Sequence, residues 1–161
     1  MNPRHSEIIE LIRKEVKPAL GCTEPIAVAL AVAKAVEILE ENNGTDGRLG
    51  QDFRVEVQVS ANILKNGMGV GIPGTGMVGL FIAAALGAVC GKSSYGLEVL
   101  RDLNDEAIRR AKEIVSGKMV KINLAETDKK LYIKAIVGSV QTGDHTATAV
   151  IEDDHDNIVE T

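Results

Sequence analysis

Apolar and polar positions divide the chain into segments of two kinds. Near the N-terminus Ile8, Leu11, Ile12 and Val16 recur at helical spacing, with Glu7, Glu10, Arg13 and Lys14 filling the other face. Ser6 stands where an N-cap belongs and Pro18 ends the segment. A second helix is predicted from about Thr23 to Asn42. Its first half, Ile26 to Ala33, is apolar on every side, and charges appear only from Lys34 onward, so this helix begins buried and emerges into solvent. The run NNGTDGRLG is a loop by composition.

Arg54 to Ile63 then alternates, with Val55, Val57, Val59, Ala61 and Ile63 on one face and Arg54, Glu56, Gln58 and Ser60 on the other, which predicts a half-buried strand. NGMGVGIPGTG is too rich in glycine for helix or strand, whereas MVGLFIAAALGAVC is apolar all round and reads as a central buried helix. Asn104 or Asp105 caps a further amphipathic helix that runs to Val115 and closes at Gly117. The last third alternates again in three runs: Val120, Ile122, Leu124; Leu131, Ile133, Ala135, Val137; and His145, Ala147, Ala149, Ile151. The short polar breaks AETDKK and SVQTGD suit hairpin turns. The expected fold is α+β: a mostly antiparallel sheet of about four strands packed on buried apolar helices. The 161 residues read as a single domain, and Ile158-Val159, after a turn at Asn157, look like the start of another strand. That ending suggests the N-terminal fragment of a longer enzyme.

Composition narrows the function. No Trp, two Phe and two Tyr against 45% hydrophobic residues mean a core of Ala, Val, Ile and Leu. A net charge of -5 argues against nucleic acid and anionic membrane surfaces as partners, which need clustered Lys and Arg. The N-terminus has no apolar stretch of the secretory kind, and the longest uncharged apolar run, Met77 to Cys90, falls short of the roughly 18 residues that span a bilayer. A cytoplasmic protein with reduced thiols is expected, its partner a small molecule or another protein. An exposed sheet edge would favour a homo-oligomer.

Two stretches carry candidate chemistry. In GCTEP, Cys22 stands at the mouth of the second helix, where the dipole and the free N–H groups favour a thiolate able to bind metal or attack carbon. The same residues also suit a plain helix start, since Cys packs well when buried and Glu and Pro favour a first turn. The second stretch, around Gly69-Val-Gly71-Ile-Pro-Gly74, has the letters of a dinucleotide fingerprint. Pro73 removes one amide donor, however, and no strand ending in an acid follows at the required distance. Its glycines allow backbone amides to approach an anion such as a carboxylate, and Asn62, Lys65, Asn66 and Thr75 flank it with polar side chains. A tight packing turn explains the glycines equally well. Cys90 reads as core, and His145 stands beside a turn, either facing a ligand or on the surface.

Taken together, GCTEPIAVALA, NILKNGMGVGIPGT and GDHT resemble the L-cysteine desulfidase family, the serine dehydratase-like alpha-chain proteins, which are related to iron-sulfur L-serine dehydratases. The resemblance runs to about His145. It implies β-elimination without pyridoxal phosphate, on L-cysteine to give pyruvate, ammonia and sulfide, or on L-serine to give pyruvate and ammonia. It also implies a [4Fe-4S] cluster held by three cysteines, of which Cys22 matches the first, while the other two fall in a later half that this chain lacks. On this resemblance Thr23, Glu24 and His145 orient substrate or proton, and Asn62, Lys65, Asn66, Gly67, Gly71, Gly74 and Thr75 form the substrate-binding wall. The 161 residues alone are expected to hold no cluster and to be inactive. Two other classes are a pyridoxal-phosphate or nucleotide-dependent domain with Lys65 or Lys92 as cofactor lysine, and a non-catalytic amino-acid-binding or assembly module.

Overall fold

A computed structural model describes residues 23–43, 53–68, 71–72, 77–139, 146–152 and 158–160. Helix α1, Thr23–Asn43, opens with Glu24 and Pro25, an acid and an imino acid that both suit a first turn. Ile26 to Ala33 are all buried. Lys34, Glu37, Ile38 and Glu40 are half-buried and Glu41 is exposed, so the helix leaves the core along its length as its sequence requires.

Strand β1, Phe53–Val59, buries Val55, Val57 and Val59 and ends at Val59 rather than at Ile63. Residues Ala61–Gly67 form a short helix, α2, in place of the end of the expected strand. The ambiguity lies in Ile63, which fits a period of two after Val59 and equally a helical period with Gly67. In the structure Ile63 and Gly67 are the two buried positions of α2. Two of the described residues in the glycine-rich segment, Gly71–Ile72 (β2), form a strand that pairs antiparallel with Met77–Val78 (β3), where the sequence predicted neither helix nor strand for the segment.

Helix α3, Leu80–Cys90, starts after Gly79, whose φ of 101° suits glycine alone, and is buried from Ile82 to Ala88. It lies against α1 so closely that a Cβ on Gly87 would stand 2.4 Å from the carbonyl oxygen of Ala29. The described core has no large aromatic, and two alanine-rich helices brought this close together fill the space that aromatic rings would take. A 3-10 segment, Ser93–Glu98, follows, held to α1 by the Glu37 carboxylate, which accepts from the Ser93 N–H at 2.9 Å and from its hydroxyl. Helix α4, Asp105–Ser116, is capped by Asn104, whose side-chain oxygen accepts from the Ala107 N–H at 2.8 Å. Asp105 and Glu106 suit the positive end of its dipole, and Ala107, Ala111 and Ile114 face the core.

The remaining strands are β4 Val120–Leu124, β5 Tyr132–Ser139, β6 Thr146–Glu152 and β7 Ile158–Glu160, and the sheet order is β4-β1-β5-β6-β7. Three of the four pairings are antiparallel; β1 and β4 run parallel. The fold is therefore α+β with a mostly antiparallel sheet, and the short β7 adds a fifth strand where Ile158-Val159 suggested one. Val57, Ala135 and Ala149 stand in one register row on the face covered by α1 and α3. The other face carries Glu56, Gln58, Lys134 and Thr148. Among the described residues no helix is long and apolar enough to cross a membrane.

Candidate functional site

The end of β1 is fixed by Ser60, the one residue with a buried polar side chain among the described residues. Its N–H donates to the Tyr132 carbonyl at 2.9 Å, its hydroxyl donates to the Lys130 carbonyl at 2.8 Å and accepts from the Tyr132 N–H at 3.2 Å. Ser60 thus latches the start of β5 to the start of α2. Because its hydroxyl is used across the sheet, it makes no side-chain cap to α2.

From that anchor α2 presents two faces. Ile63 and Gly67 point inward, and Gly67 lies so close to α3 that a Cβ there would meet Leu80 Cδ2 at 2.4 Å. Asn62, Lys65 and Asn66, at spacings of three and four, share the solvent side and are exposed. The structure therefore brings together four of the sequence-predicted site residues, Gly67 as the buried contact with α3 and three as a polar face. Lys65 also lies in the last turn of α2, where a cation suits the negative end of the dipole.

Other site residues are placed with less company. Glu24 is half-buried in the first turn of α1, which packs against α2. Thr23 opens α1 and Gly71 sits in β2, paired with Val78. Cys22, Gly74, Thr75 and His145 lie outside the described residues. The dinucleotide reading fails on topology: α2 separates β1 from the glycines, so β1 does not run through them directly into α3.

Lys92 is not poised as a cofactor lysine. Its Nζ pairs with Asp102 at 3.0 Å and lies 5.5 Å from the centre of the Tyr95 ring, which Arg101 also approaches, at 4.4 Å. The hydrogen bond and charge of Asp102 hold the Lys92 pKa above its ordinary value, and the same contact lowers that of Asp102. A Schiff-base lysine is tuned in the opposite direction. Cys90 closes α3, half-buried, its Sγ donating to the Leu86 carbonyl at 3.4 Å.

One feature escaped the sequence reading: an open recess where β1 and β4 both end, bordered by Gln58, Asn123 and Tyr132. Alternation cannot show that two strands some sixty residues apart run parallel, and nothing else in the sequence marks the place.

No family model matches the chain, and no solved structure gives a significant match. Curated relatives do. The chain is 53% identical over 154 residues to a UPF0597 protein of Parabacteroides distasonis, covering 96% of this chain and 33% of that protein. It is 50% identical over 152 residues to UPF0597 protein TTE0269 of Caldanaerobacter subterraneus, with 94% and 33% covered. A UPF0597 protein of Shewanella halifaxensis is 45% identical over 152 residues, with 94% and 34% covered. The chain spans about a third of the length of the curated relatives it matches, and it is similar over nearly all of its own length to proteins that bear the UPF0597 name.

Proposed function

We propose that this chain is the amino-acid-binding part of a longer lyase that works without pyridoxal phosphate, eliminating sulfide from L-cysteine or water from L-serine. The observation that carries the reading is the exposed face of α2, where Asn62, Lys65 and Asn66 stand together at the end of β1. An ammonium and two amides suit an α-carboxylate, since all three donate hydrogen bonds to it. The paired motifs GCTEP and KNGMGVGIPGT support the same reading through the L-cysteine desulfidase resemblance.

In the proposed reaction a base takes the α-proton and the Cβ–S or Cβ–O bond breaks with its electron pair. The resulting enamine becomes an imine, and water converts it to pyruvate and ammonia. Lys65, Asn62 and Asn66 hold the carboxylate through these steps; Thr23 and Glu24, at the head of the neighbouring helix α1, orient the amino group or the proton.

The described residues do not fit the implied [4Fe-4S] cluster. No group of three His, Cys, Asp or Glu among them is arranged to hold a metal ion, and the Cys90 thiol is engaged within α3. Cys22, the ligand that the resemblance implies, lies outside them.

The test is steady-state kinetics of the full-length protein, anaerobically reconstituted with iron and sulfide and offered L-cysteine and L-serine. Pyruvate release, with a KM raised roughly tenfold by Lys65→Ala at little change in kcat and restored in part by Lys65→Arg, is the expected result. Release of no pyruvate from either substrate would overturn the lyase reading. Binding without turnover would favour the amino-acid-binding module.

A further inference from the structure

The recess at the ends of β1 and β4 lies on the sheet face opposite α1 and α3, on the strand that leads into α2 but not on α2 itself. Its volume is about 480 Å³, within the range of small-molecule sites, and its walls are Gln58, Asn123, Leu124, Glu126, Thr127 and Tyr132, with Ala125. Ligands of open sheets with parallel strands gather outside the carboxyl ends of those strands, and β1 and β4 are the parallel pair of this sheet.

Two of its polar side chains, Asn123 and Thr127, are hydrogen-bonded within the chain, and all four retain hydrogen-bonding capacity. Asn123 Nδ2 donates to Glu56 Oε1 at 3.1 Å, which fixes the amide and leaves Oδ1 as an acceptor. Gln58 stands beside Asn123 in register, half-buried, and its amide makes no side-chain hydrogen bond among the described residues. The Thr127 oxygen accepts from the Lys129 N–H at 3.2 Å, which leaves its hydroxyl proton to donate. The exposed Glu126 carboxylate accepts only. Leu124, 59% exposed, and the half-buried Tyr132 ring supply apolar surface among these groups.

This set selects a ligand class by what it contains and what it omits. None of the seven lining residues is Lys, Arg or His, and the one formal charge is negative. Phosphate esters and carboxylic acids, the proposed amino-acid substrates included, meet no cation among the lining residues; Lys134, opposite Gln58 in register on the same face, stands beside the recess rather than in its wall. Two amides, a hydroxyl and a carboxylate set around an aromatic ring match adjacent hydroxyl groups on a ring whose C–H face packs against Tyr132 and Leu124. We infer that the recess binds a neutral vicinal diol, either a free sugar or the ribose of an uncharged nucleoside.

The experiment is two-dimensional amide NMR of the 161-residue chain, titrated separately with D-glucose, D-ribose and adenosine, and with inorganic phosphate and pyruvate as anionic controls. Shifts grouped at Gln58, Asn123 to Thr127 and Tyr132, saturating at roughly millimolar concentration, are expected. Response to glucose and ribose identifies a free sugar; response to ribose and adenosine identifies the nucleoside. Asn123→Ala should weaken binding at least about fivefold. Glu126→Gln, an isosteric change at an exposed position, provides the second variant if Asn123→Ala disturbs the fold. Absence of grouped shifts with all three diols, equal shifts with phosphate or pyruvate, or unchanged affinity in both folded variants would each overturn the inference.

Discussion

Replacing Gly87 by Ala tests the packing on which this aliphatic core depends. The added methyl would stand 2.4 Å from the Ala29 carbonyl oxygen, 2.9 Å from its Cα and 3.0 Å from its carbonyl carbon. All three are main-chain atoms of α1, so no rotamer change relieves the clash, and the helices must part by about 1 Å to reach ordinary contact distance. Overpacking a filled core costs about 1–3 kcal/mol, with rigid partners at the upper end. Against this, Ala is favoured over Gly inside a helix by about 1 kcal/mol. The net expectation is a loss of about 2 kcal/mol, or about 4–8 °C in Tm for a chain of this size. Thermal and urea unfolding followed by circular dichroism measure it. Gly67→Ala is the internal control, because its nearest contact, at the same 2.4 Å, is the terminal Cδ2 of Leu80. A side-chain rotation relieves that clash for roughly 0.5–1.5 kcal/mol, offset by the same helix preference, so the variant should stay within about 1 kcal/mol of the parent. A Gly87→Ala protein as stable as the parent, or hurt less than Gly67→Ala, would refute the close-approach argument.

Ser60→Ala removes both hydroxyl bonds of the latch and leaves the Tyr132 N–H without this acceptor; a loss of about 1–2 kcal/mol in urea unfolding is expected, and a neutral result would mean that the latch is ornamental to stability. Asp102→Asn should act through pH. The folded pKa of Asp102 is lowered, so its pairing with Lys92 contributes above the ordinary carboxylate value and is lost as pH falls through the folded one. The matching raised pKa of Lys92 makes its share complete below its ordinary value of 10.5 and lost as pH rises through the folded one. The stability gap between parent and Asp102→Asn should therefore be small, be screened by salt, and close in the acid limb. A gap that persists unchanged into acid would place the effect elsewhere.

Elements whose residues match a single pattern are legible in the sequence, and those that match two are not. The apolar run from Ile26 to Ala33, the alternation of Val55, Val57 and Val59, and Asn104 before Asp105 and Glu106 each match one periodicity or one cap, and the structure has the helix, strand and cap at those places. Ser60 to Gly67 match two patterns at once. Ile63 continues the strand's alternation, and the glycine four residues on reads as a breaker unless α3 is known to press on it. Only the contact with Leu80 makes Gly67 a buried helical position. The parallel run of β4 beside β1 was hidden because register is set by partners distant in sequence, and with it the recess. Of the chemistry, the grouping of Asn62, Lys65 and Asn66 was implied by their spacing once α2 is a helix, whereas Cys22, Gly74, Thr75 and His145 fall outside the described residues.

The exposure of that polar face sets a further expectation. An ion pair between an exposed lysine and a carboxylate in water contributes about 0–1 kcal/mol, while even a millimolar dissociation constant requires about 4 kcal/mol. Lys65, Asn62 and Asn66 stand in solvent on the described chain, which spans about a third of its curated relatives. If they hold a substrate carboxylate, the rest of that free energy must come from groups that cover the face and exclude water, because hydrogen bonds to a charged group gain strength as the dielectric falls. Calorimetry should therefore find L-cysteine and L-serine binding to the 161-residue chain weaker than millimolar. The full-length protein should bind them at least tenfold more tightly, with Lys65→Ala abolishing the difference. Tight binding to the short chain would mean that α2 is already a complete site. Equal, weak binding to both would remove α2 from the substrate pocket and return its lysine to the role of completing a helix end.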